Sequence, residues 1–93
     1  MGIFSDRQVS YVEDVRIEVH GSITLTGGRF RLLVAGQQVD EAACRIGKSI
    51  TLRSRLKRHD AEKQVEVEIR QGWLGTQFRL LVDGTLHRLH KVY

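Results

Sequence analysis

The chain has no proline, one cysteine and six aromatic residues among its 93. Without proline, and with apolar and charged residues in ordinary globular proportions, it is neither collagen-like nor a disordered tail. Its reversals fall to glycine, including one Asp-Gly pair. The lone thiol, Cys44, excludes an internal disulfide, and a reducing cytoplasm is the expected compartment. The longest apolar run is Leu32-Leu33-Val34-Ala35, far short of the roughly 20 residues a membrane helix needs. Met1-Gly2-Ile3-Phe4 runs straight into Ser5, Asp6 and Arg7, so no secretory signal is expected. A sustained helical period is missing as well. So are a glycine-rich phosphate loop, a Ser/His/Asp order and a paired-carboxylate motif, and no enzyme is expected.

What is present describes one soluble domain over residues 1–93, with 41% apolar and 28% charged residues. A chain of this size buries roughly 60 to 70% of its unfolded surface, enough to fold without metal or disulfide. Basic residues outnumber acidic ones 15 to 11, a net charge of +4. Eleven of those bases are Arg and four are Lys. Arginine suits bidentate contact with carboxylate or phosphate, so the balance permits an anionic partner. A charge of this size also serves solubility alone.

Alternation dominates the pattern. Val15, Ile17 and Val19 point one way while Arg16, Glu18 and His20 point the other. Ile23 and Leu25 alternate with Ser22, Thr24 and Thr26. The same holds for Phe30, Leu32 and Val34, for Ile50, Leu52 and Leu56, for Val65, Val67 and Ile69, and for Phe78, Leu80 and Val82. Half-buried strands of this kind favour an antiparallel sheet. Asp83-Gly84 is a strong hairpin signal because both central residues of a tight I′ turn need positive φ. Ala35-Gly36 holds the same place more weakly. Residues 1–8 are expected to be a flexible or edge segment. Val39, Ala42, Ala43 and Ile46 follow helical spacing before Gly47, so residues 39–46 fit a short helix or an irregular edge strand.

The chain also repeats. Phe30-Arg31-Leu32-Leu33-Val34-Ala35-Gly36 returns as Phe78-Arg79-Leu80-Leu81-Val82-Asp83-Gly84, an offset of 48 residues. At that offset Ile17-Glu18-Val19 meets Val65-Glu66-Val67, and Gly27 meets Gly75. The expected fold is therefore all-β, a small antiparallel sandwich or barrel with a pseudo-repeat over residues 15–39 and 63–87.

The two halves carry a resemblance. Ile17-Glu18-Val19-His20-Gly21, a glycine-rich connection, Phe30 to Gly36 and Val39 resemble the first hairpins of the Fas apoptotic inhibitory molecule family. Val82-Asp83-Gly84 is similar to its Asn-Gly or Asp-Gly hairpins. The resemblance spans most of residues 13 to 90. It implies a β-sandwich acting as a non-enzymatic cytosolic regulator through protein contacts, and it assigns no functional residue.

Two surfaces compete as candidate sites. Leu33 and Leu81 occupy matched positions on the nominally wet side of their strands, and Trp73-Leu74 stands at a turn between Gly72 and Gly75. Together they point to binding of a protein partner or of a second copy. The alternative is a nucleic-acid-binding barrel using Arg53, Arg55, Lys57 and Arg58, with Arg29, Arg31 and Arg79 extending the surface if the sheets bring them together. Against it stand the acids Asp60, Glu62, Glu66 and Glu68, which offer cross-strand ion pairs. Aromatic interleaving is also absent. His87 and His90 lack two further ligands at motif spacing, and Cys44 lacks a neighbouring base, so no metal, cofactor or catalytic residue is expected.

Overall fold

A computed structural model of the chain describes residues 4–58, 61–72 and 75–91. Nine strands follow one another: β1 (Phe4–Val12), β2 (Val15–Thr24), β3 (Gly27–Val34), β4 (Gln37–Arg45), β5 (Ser49–Arg58), β6 (Ala61–Gln71), β7 (Thr76–Val82), β8 (Thr85–His87) and β9 (His90–Lys91). They form two antiparallel sheets, ordered β4-β3-β2-β1-β9 and β5-β6-β7-β8. Each sheet is a simple meander, and β9 returns to pair with β1 through Gln8 and Val9. The all-β expectation holds, and two separate sheets make the architecture a sandwich.

The core follows from the alternation. Ile17, Val19, Phe30 and Leu32 from one sheet and Leu52, Val65, Val67, Ile69 and Leu80 from the other are fully buried. Burying each such side chain contributes about 1.5–3 kcal/mol, set against the conformational entropy lost on ordering. Phe30 and Phe78 meet between the sheets edge to face, with ring centroids 5.8 Å apart. Two missing side chains make room for the Phe30 ring. A Cβ on Gly21 would stand 2.8 Å from it, and one on Gly28 would stand 2.9 Å from it.

The β2–β3 and β6–β7 hairpins share one register at the 48-residue offset. Ile17 pairs Val34 as Val65 pairs Val82, and Val19 pairs Leu32 as Val67 pairs Leu80. The Ala35 N–H donates to the Arg16 carbonyl at 2.9 Å, and the Asp83 N–H donates to the Gln64 carbonyl at the same distance. Both following turns carry positive φ at each central residue, Ala35 and Gly36 in one and Asp83 and Gly84 in the other. Glycine or Asp suits such a turn, whereas Ala35 holds it against its Cβ. Asp83 adds an acceptor, its Oδ1 taking the Gln64 N–H at 2.8 Å.

The structure decides several details that the sequence leaves open. Of the two forms that residues 39–46 fit, the irregular edge strand is the one found: β4 ends its sheet and carries a bulge opposite Leu32 and Leu33, so Leu32 faces Asp40 and Leu33 faces Gln38. The unpaired Val39 turns outward, and Ala42 and Cys44 fall on the inner face. That one-residue slip makes an alternating strand imitate helical spacing. Leu25 does not continue its strand's inner row but sits in the β2–β3 turn, 81% exposed. Residues 4–8 belong to β1, paired with β2 throughout and an edge strand except where β9 reaches it. His87 and His90 stand on two short strands in different sheets.

Candidate functional site

Strand parity sends a second set of side chains outward from each sheet. On the four-stranded sheet, Glu66 faces Leu81, and Leu81 faces Leu86 on β8. Leu81 is half-buried while Leu86 is 60% exposed. β8 ends its sheet, and no strand of the described residues pairs with its other side. An apolar pair thus lies along an open strand edge. Leu33 does point outward, but from the five-stranded sheet, between Glu18 and Gln38. It cannot share a patch with Leu81. Trp73 and Leu74 lie outside the described residues.

The basic strand is partly balanced by its neighbour. Arg53, Arg55 and Lys57 occupy the outer face of β5, opposite Glu66, Gln64 and Glu62. Arg55 Nη1 stands 3.4 Å from Glu62 Oε1, and Arg79 Nη1 stands 3.8 Å from Glu68 Oε1. Arg58 ends β5. Only Arg79 joins this surface. Arg29 and Arg31 lie on the five-stranded sheet, so the extended basic face does not assemble.

Those two arginines help form a concavity instead. A groove of about 710 Å³ crosses the five-stranded sheet, and Arg7, His20, Arg29, Arg31, Glu41 and Asp6 contribute to its lining. Arg7, His20 and Arg31 are direct cross-strand neighbours on β1, β2 and β3. Ser5, Ser22 and Arg29 form the next row. Arg29 is engaged, with its Nε 2.6 Å from Glu41 Oε1. Glu41 is anchored in turn by Gln38, whose Nε2 donates to Oε2 at 2.9 Å.

His20 stands at the centre of its row. Its Nε2 is buried without a hydrogen-bond partner, and Glu18 Oε1 at 3.7 Å is beyond bonding range. Burial pushes the imidazole below its ordinary pKa, Arg7 adds to this, Glu18 opposes it, and Arg31 lowers it slightly further. Glu18 itself is nearly buried and pairs with Arg16 Nη2 at 2.8 Å. Reading the chain for runs of charge misses this row, because its members lie 13 and 11 residues apart. A signal is nevertheless there. The Ala35-Gly36 turn fixes a register that sets His20 opposite Arg31.

Cys44 is buried, and its thiol donates to the Lys48 carbonyl at 3.3 Å. No cluster of three or more His, Cys, Asp or Glu able to hold a metal occurs among the described residues. No helix among them is long and apolar enough to cross a membrane. No protein-family model matches the chain, and neither a curated protein nor a solved structure matches it.

Proposed function

We propose that the chain is a non-enzymatic protein-interaction module that receives an extended segment of a protein partner along β8. The observation that carries this reading is Leu86, 60% exposed beside half-buried Leu81 on an open strand edge. An unpaired edge offers backbone donors and acceptors to any added strand. Side-chain pockets beside it supply the selectivity of such additions. A large apolar residue left on the same edge therefore favours occupation over protection. The family resemblance implies a role of the same kind.

The test is capture from nuclease-treated lysate by the wild-type chain and by Leu81→Asp and Leu86→Asp variants, with sedimentation of each alone. A protein captured by the wild type and lost with Leu86→Asp supports the reading. Concentration-dependent self-association lost with the same change would make the partner a second copy. Equal capture by all three chains, with every variant folded, would refute it. Nucleic-acid binding through Arg53, Arg55 and Lys57 has less support, because Glu62, Glu66 and Glu68 stand along the neighbouring strand.

A further inference from the structure

We propose that the five-stranded sheet carries a second site, which binds the phosphate group of a small molecule through the row Arg7–His20–Arg31. This site lies on a different sheet from the β8 edge and does not depend on that reading. Three adjacent strands place two guanidinium groups on either side of one imidazole. Directly opposed residues on antiparallel strands have their Cβ atoms about 4.5–5.5 Å apart, close enough for three side chains to converge on one anion. Arginine presents a planar fork that matches phosphate oxygens, and a charge-assisted bond is stronger than a neutral one. Among the described residues no ion pair engages Arg7 or Arg31, whereas Arg29 is held by Glu41. The buried, unpartnered Nε2 of His20 gains an acceptor when an oxyanion enters, and leaving such a group unsatisfied is costly.

The borders define the size of the ligand. Glu41 stands directly opposite Arg31 on β4, so the positive row is short and ends in an acid on that side. A nucleic-acid backbone needs a continuous basic track, which is not found here. At about 710 Å³ the groove falls in the range of small-molecule sites.

Backbone amide NMR of the intact chain tests this, by titrating inorganic phosphate, then glycerol 3-phosphate, then a single-stranded oligonucleotide, each against sodium chloride at matched ionic strength. Saturable shifts are expected around Arg7, His20 and Arg31, and none on β5 to β8. Arg7→Gln and Arg31→Gln, both at exposed positions, should each weaken binding roughly tenfold. Glu41→Gln releases Arg29 and should tighten binding severalfold, a gain that loss of folding cannot produce. Shifts no larger than with chloride, or a Glu41→Gln variant that binds more weakly, would overturn the proposal. So would an oligonucleotide that binds far more tightly than the monoester.

Discussion

Replacing Gly21 with alanine should destabilise the domain because of a single ring, and removing that ring should reverse the effect. The new Cβ would approach Phe30 Cε1 at 2.8 Å and Cδ1 at 2.9 Å, closer than carbon atoms pack. The ring cannot simply withdraw, since Phe78 meets it edge to face and it is fully buried. Overpacking of this kind costs about 1–3 kcal/mol. Phe30→Leu alone forfeits the aromatic pair, about 0.5–1.5 kcal/mol, plus a further amount for the cavity it leaves. In the Phe30→Leu background the steric objection to a methyl group at Gly21 disappears. There Gly21→Ala should be neutral or stabilising by up to about 1 kcal/mol, because glycine loses more freedom on folding than alanine. The double variant should therefore be more stable than additivity predicts by roughly 1 kcal/mol or more. Urea denaturation of the four chains reads this as midpoint shifts at constant slope. Gly28→Ala provides the control. Its Cβ meets the same ring but also the Ser22 carbonyl at 3.1 Å, a backbone atom that Phe30→Leu leaves in place, so its rescue should be partial. Additive effects for the Gly21 pair, within about 0.3 kcal/mol, would refute the packing account.

Two other perturbations follow from backbone and charge. Ala35→Asn, at a position with φ near 53°, should stabilise the chain by about 0.5–1 kcal/mol, because Asn tolerates the left-handed region that alanine resists. A thermal melt showing no gain or a loss would contradict the I′ reading of that turn. The His20 pKa is lowered in the folded chain, so the unfolded chain binds more protons there. Its stabilising effect is present above the unfolded value near 6.5 and is lost as the pH falls through the lowered folded value. His20→Gln should flatten this part of the stability profile, and an unchanged slope below about pH 6.5 would contradict the burial of the ring.

Most of the fold is legible in the sequence because one side of each strand is buried and period two leaves few alternatives. The Asp83-Gly84 and Ala35-Gly36 pairs fix two hairpins and their registers. Glu13-Asp14 is not legible as a turn: both residues adopt positive φ without any glycine. That hides the extent of β1 and with it the place of Arg7. The bulge in β4 hides a second strand by moving Val39 out of phase. For the candidate sites, outward leucines are readable from parity, but which sheet each belongs to is not. Leu33 and Leu81 hold equivalent places in the repeat, and the repeat itself sends them to opposite sheets. Leu86 escapes notice because β8 is three residues long, too short for alternation to be seen. Basic residues show as a run only where they are contiguous, on β5. The arginine–histidine row depends on three strands meeting and has no linear signature.

The most direct test of the central claim is amide hydrogen exchange along β8, compared between the free chain and its complex with the captured protein. Strand addition predicts new protection at Thr85, Leu86 and His87, with the outer face of the five-stranded sheet unchanged. Protection that appears elsewhere, leaving β8 exchanging as in the free chain, would contradict it.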